Sequence, residues 1–246
     1  MGERVFAGLV TAEAPPRGIV DRVEDYTREG QDTASLPAEV RAFFEDCEAL
    51  EIRIRPDWAL WALPFAWAWH LVAWAVGQLC LPVRGSTVHV RTLALEARSS
   101  PNRSPRAVIR EYAGSRKVMQ SVVYAVHRRG KRGYMSATFP LPGHALEGIL
   151  RLGITEPDAE GRAGAMLTSL PEDAEDAATT GVFLHGPLGR IRTGFDESLE
   201  LWSNAATNVP REVRVEDRDV VLVGRHEQRF LGARVVRHLY AFVRRT

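Results

Sequence analysis

From residue 88 to the carboxyl end the chain alternates apolar and polar side chains in short runs broken by Gly, Pro, Asn and Ser, a pattern that predicts successive β-strands. Earlier the period differs. Val40, Phe43, Phe44 and Cys47 make an apolar stripe of helical spacing behind Ser35, a plausible N-cap, and Pro37. A helix over about 37–49 is expected there, preceded by an irregular lead-in at 1–34. EIRIRP at 51–56 reads as a strand ended by Pro56, VHVRTLALEA at 88–97 as another, and SSPNRSP at 99–105 as a loop.

Two hairpins can be placed in register. VVYAVHRRGKRGYMSATF fits a two-residue turn with Gly130 first, pairing Val123 with Thr138, Ala125 with Ser136 and His127 with Tyr134. The opposite face, Val122, Tyr124, Val126, Met135, Ala137 and Phe139, is the better core candidate. A similar turn with Gly232 first would pair Glu227 with His238 and Arg225 with Tyr240 in the final hairpin. Between the hairpins, GILRLGI, GAMLTSLP, GVFLHG and SLELWS are further strands, and EPDAEGRAG and PEDAEDAATTG are exposed acidic loops. The expected fold is α+β. A large curved antiparallel sheet, or half-open β-barrel, packs against N-terminal helices in a single sheet-rich domain over 35–246.

One segment stands apart from this pattern. Between Asp57 and Arg84 lie 26 residues without a formal charge, and they hold five of the six tryptophans. A tryptophan-rich helix at about 58–76 is expected. It barely reaches the roughly 20 residues a membrane span needs, Pro64 and His70 interrupt it, and its indoles are not gathered in two interfacial belts. A span is therefore disfavoured, and a basic face for surface binding is missing from the helix itself. The segment reads instead as a buried wall. Trp67, Trp69 and Trp74, with His70 and Gln78 as polar groups, could line a site for a large apolar ligand, while Ala125, Ser136 and Thr138 on a concave sheet face leave it room.

Charge and cysteine content narrow the partners. A net charge of +1 gives no electrostatic case for nucleic acid. Ten basic residues between Arg98 and Arg132 could meet an anion, but a solvated strand face balanced by the acidic loops is the simpler reading. Cys47 and Cys80 lack metal-ligand spacing, and with an amino terminus unlike a secretory signal they suggest a cytoplasmic protein. No phosphate loop, nucleophile elbow or dinucleotide fingerprint appears, so no cofactor is expected. In the expected register Glu227 would hold His238 as a general base with Tyr240 as proton donor. Together these features suggest a protein that encloses a polyketide, terpenoid or lipid, acting as a cofactor-free cyclase or isomerase. The alternative is a non-catalytic lipid-binding or interaction module, including one at a membrane.

The order LPAEVRAFFED, a tryptophan-rich segment with a proline, GQLCLP, YMSATFPLPG and a closing LGARVVRHLYAF resembles an uncharacterised bacterial domain attached to YndJ-type membrane proteins, over about residues 35–244. The resemblance implies a sheet-rich domain whose tryptophan segment does not span a membrane, and it brings no catalytic residues.

Overall fold

Short turns join most consecutive strands, and the resulting antiparallel ladder closes on itself. The computed structural model describes residues 6–11, 15–96, 105–115 and 117–245. Its strands are β1 (Leu50–Trp58), β2 (Ser86–Ala94), β3 (Arg106–Tyr112), β4 (Val118–Arg129), β5 (Arg132–Leu141), β6 (His144–Ile154), β7 (Ala165–Thr168), β8 (Gly181–Gly186), β9 (Gly189–Arg192), β10 (Phe195–Ser203), β11 (Val220–Phe230) and β12 (Ala233–Arg244). Hydrogen-bonded neighbours run β5-β4-β3-β2-β1-β12-β11-β10-β7-β6, and β6 pairs back to β5 from Met135↔Leu150 to Leu141↔His144. Ten strands thus form a closed barrel. β8 and β9 extend from the half of β6 that β7 leaves free.

Period-two alternation sends one set of side chains into the barrel. Ile52 and Ile54 of β1, Val88 and Val90 of β2, Val122 and Val126 of β4, and Leu222 and Phe242 of β11 and β12 belong to one buried cluster. The helix α1 (Ala38–Glu45) joins it through Val40, Phe43 and Phe44, with the Phe43 ring edge-on to Phe242 at 5.7 Å. Val20, Val23 and Tyr26 from the expected lead-in are buried in the same cluster. That strap is tied down where Gly133 N–H donates to Thr27 O at 2.9 Å.

Several local expectations change. α1 ends at Glu45 and starts behind Pro37, with no side-chain cap from Ser35. Pro56 does not end β1, which continues to Trp58 against β12. Pairing with β2 has stopped at Ile54, so a residue without an N–H is tolerated beside an open edge. PEDAEDAATTG is not simply exposed: it contains α3 (Ala174–Ala177), and the buried Asp176 accepts from Tyr134 Oη at 2.9 Å and from Arg132 at 3.1 Å. Those acids, with Asp21, Asp25 and Glu29, take up Arg106, Arg128, Lys131 and Arg132 of the basic stretch.

The two hairpins differ in outcome. The register of β4 and β5 is as read, with Arg129↔Arg132 around Gly130 at φ 55°. In β11 and β12 the turn residues are Leu231 and Gly232, at φ 49° and 81°, so both central positions are left-handed and Gly232 is second. A bulge then falls between Gln228 and Arg229. The net result moves the register by one residue, pairing His226 with His238, Glu227 with Arg237 and Gly224 with Tyr240.

Candidate functional site

A ten-stranded barrel is wider than its own side chains fill, and here a cavity of about 420 Å³ remains inside. That size lies within the range of small-molecule sites. Aliphatic and aromatic side chains make most of its wall, among them Ile54, Phe139, Leu146, Leu150, Leu199 and Phe230. Tyr124, Met135, Ala137 and Phe139 come from the hairpin face read as core, so that face looks onto open space. Ala125, Ser136 and Thr138 alternate with them and project from the other side of the sheet. Ser136 there donates to Glu147 Oε1 at 2.9 Å.

The helix α2 (Leu63–Val76) reaches the cavity through two of its side chains. Phe65, itself half-exposed, and Trp69 border the cavity, stacked with centroids 6.4 Å apart, and Trp69 Nε1 donates to Leu79 O at 3.1 Å. Trp58, the last residue of β1, also lines the cavity and donates to Pro82 O at 3.2 Å. The expectation of a helix buried all round does not hold: within α2 only Ala66 and Ala73 are buried. Trp67 and Trp74 are 60% and 62% exposed and point away from the lumen. His70 is also not among the cavity-lining residues, and Gln78 is structural. The fully buried Gln78 amide donates to the carbonyls of Ser121 and Pro140 and accepts from the N–H groups of Ser121 and Leu79.

Within the apolar wall sits a compact polar group. His226 places Nε2 3.2 Å from Glu197 Oε2 and Nδ1 3.2 Å from Tyr240 Oη. The tautomer protonated at Nε2 satisfies both contacts, donating to the carboxylate and accepting from the phenol. A Cβ at Gly148 would collide with Glu197 Oε1, so glycine there leaves the carboxylate its place. Burial pushes the Tyr240 hydroxyl up to about 12, against the opposing pull of Arg110, so it stays a proton donor. Arg110, permanently charged, points into the same space with Nη2 3.5 Å from Tyr124 Oη. His238 stacks on Tyr240 at 6.1 Å and meets Trp58 edge-on at 6.3 Å. Among the described residues neither of its ring nitrogens has a hydrogen-bond partner. Burial, with His226 nearby, lowers its pKa to about 3, so the imidazole is neutral.

Of the residues expected to act chemically, His238 and Tyr240 therefore line the cavity and Glu227 does not. Glu227 faces the other way and is held by Arg237 Nη2 at 2.9 Å and Arg229 Nη2 at 2.7 Å. Burial alone would raise its pKa, but those two guanidinium groups outweigh it and leave the pKa lowered. Asp196 and Glu197 are the carboxylate residues that border the cavity, and Glu197 is the one bonded to His226, with Arg110 facing the same space; none of these was expected at the site. A signal for them exists in the sequence: Glu197 is in phase with Leu199 and Leu201, Arg110 with Val108, and His226 with Leu222. An ionisable residue in phase with the apolar face of a strand is the mark of an inward polar site.

The fold and cavity define the class: a closed antiparallel β-barrel with an apolar lumen and a small internal polar cluster. No protein-family model matches the sequence, and no solved structure matches it. The chain is similar to the uncharacterized membrane protein YndJ of Bacillus subtilis (strain 168), with 23% identity over 155 residues, 61% of this chain. It spans 28% of the length of that relative. Because that relative is a membrane protein, the expectation of a cytoplasmic location is overturned. Among the described residues no helix is long and apolar enough to cross a membrane.

Proposed function

We propose that the protein binds a bulky apolar small molecule, of polyketide, terpenoid or lipid type, whose one polar end reaches the cluster of Arg110, Glu197, His226, His238 and Tyr240. The observation that carries this reading is His238: a neutral imidazole with two unpartnered nitrogens, buried beside a cavity of ligand size. A buried polar group without a partner is costly, and a bound polar atom would remove that cost. The apolar wall supplies affinity by burial, and Arg110 favours an anionic or strongly accepting head. In this reading α1 forms the floor through Phe43, and α2 with Phe65 and Trp69 forms the lid.

A second reading, a cofactor-free isomerase or cyclase, draws on the Tyr240–His226–Glu197 chain. A phenol that can donate, an imidazole that can pass the proton on and a carboxylate that can hold it are arranged in one line. His238, with its low pKa, is a hydrogen-bond partner for a carbonyl or hydroxyl and too weak a base to remove a proton at neutral pH.

The first test is a titration with N-phenyl-1-naphthylamine, an apolar probe that fluoresces in dry surroundings, followed by displacement with a long-chain fatty acid and with the matching alcohol. Saturable binding at one probe per chain, displaced better by the acid, is expected. Absence of saturable fluorescence would remove the proposal. Solvent extraction of the purified protein followed by mass spectrometry then identifies the class of any retained compound.

A further inference from the structure

Eleven of the thirteen large apolar side chains exposed among the described residues lie at one end of the barrel. Leu60, Trp61, Phe65, Trp67, Leu71, Val72 and Trp74 come from α2 and the turn before it, and the tips of two hairpins add Leu188, Ile191, Phe230 and Leu231. These tips belong to the same end. Trp61 Nε1 donates to Arg234 O beside the β11–β12 turn, and Trp69 and Val76 border one groove with His144 and Leu184 near the β8–β9 turn. Exposure so concentrated exceeds the scatter normal for a soluble surface.

We infer that this end of the barrel docks flat on an anionic lipid bilayer, with Trp67, Leu71 and Trp74 inserted at the headgroup level. Three observations favour lipid over a protein partner. Indoles are the side chains that settle at a membrane interface, apolar ring inward and N–H outward. The helix has 14 residues, about 21 Å by its rise per residue, too short for the roughly 30 Å hydrocarbon core but suited to lying in its surface. The basic face that the helix lacks is supplied by its neighbours. Lys117 Nζ stands 4.7 Å above the Trp74 ring, Arg84 is exposed just after α2, and Arg234 borders Trp61. Asp57, an acid in that border, is paired with Arg234 at 3.3 Å. At the far end, the loops 155–164 and 204–219 carry seven acids against four arginines.

Docking would set the lid of the cavity against the acyl boundary, so that an apolar molecule could pass from bilayer to lumen without crossing water. That last step rests on the ligand reading above, whereas the docking itself does not.

Sedimentation with vesicles of phosphatidylcholine, alone or with about a third phosphatidylglycerol, tests the inference. Expected is pelleting with the anionic vesicles, weakened by salt, and a blue shift of tryptophan emission. Trp67→Glu with Trp74→Glu should cut the partition coefficient at least about tenfold, and Lys117→Glu should weaken binding to the anionic vesicles alone. Both positions are exposed, so thermal unfolding should show the double variant folded. Failure to pellet with either vesicle, or equal pelleting of the double variant, would overturn the inference. So would a wild-type dimer that the double variant converts to a monomer, because a second copy would then be what covers this face. Probe binding in solution without vesicles reads the cavity separately, and the double variant should leave it unchanged.

Discussion

His226 and His238 stand opposite each other on β11 and β12, ring centroids 6.2 Å apart, yet one is bonded at both ring nitrogens and the other at neither. The contrast sets a pH signature. His238 ordinarily binds a proton near 6.5, and burial together with His226 lowers this to about 3 in the fold. Between those values the unfolded chain holds the proton and the folded chain does not. Stability should therefore be complete above about 6.5 and fall as pH drops toward 3, by about 1.4 kcal/mol per unit from this group. His238→Leu should flatten the urea midpoint over that window relative to wild type. Parallel pH curves for the two proteins would contradict the assignment.

Ala137 borders the cavity from β5, where a larger side chain has open space to enter. Ala137→Phe is expected to keep or raise the thermal midpoint and to abolish N-phenyl-1-naphthylamine binding. A filled core would respond in the opposite way, losing about 1–3 kcal/mol to overpacking. Measuring both quantities on one variant separates an open lumen from a packed one.

The register of the last hairpin predicts opposite consequences for two carboxylates. Glu197→Gln should strengthen fatty-acid displacement of the probe several-fold while leaving probe affinity nearly intact, because it removes a negative charge that repels an anionic head at the polar end of the lumen. Glu227→Gln should change neither measurement. It should cost about 1–2 kcal/mol in denaturant unfolding through its contacts with Arg229 and Arg237. A binding defect in Glu227→Gln would contradict its outward placement.

Gly133 has no room for a methyl group, since a Cβ would run into the backbone of Asp25 and Tyr26. Gly133→Ala should loosen the strap at Thr27 and lower stability by about 2–3 kcal/mol. Hydrogen exchange should localise the loss to the segment around Val23–Tyr26. Uniform exchange across the barrel would show that the strap is not a separate unit.

The strand alternations were readable because one face of each strand is apolar, which fixes the period and, for β4 and β5, the register. The tip of the last hairpin was not readable. A Leu-Gly turn with both residues left-handed is unusual, since leucine rarely adopts that conformation, and the bulge after Gln228 leaves no compositional mark. Together they exchange His226 for Glu227 in the lumen, so the chemistry inferred for that position depended on a local backbone detail. The tryptophan helix was misjudged for a different reason. Hydrophobicity all round is read as burial, whereas Trp67 and Trp74 face outward and burial in α2 falls on two alanines. Barrel closure through β5 and β6 follows from long-range pairing of β1 with β12, which no local pattern encodes.

That pairing also imposes an order in time. β12 lies between β1 and β11, and Leu50 meets Arg244, so the ring cannot shut until the twelfth strand is in place. Before then β1 and β11 each hold out an unpaired edge, the state in which sheet proteins are prone to join the wrong neighbour. With contacts this distant along the chain, assembly is slow compared with a helical protein of equal size. The barrel therefore has no enclosed lumen until β12 joins the strands on either side of it, sewing the chain's two halves together.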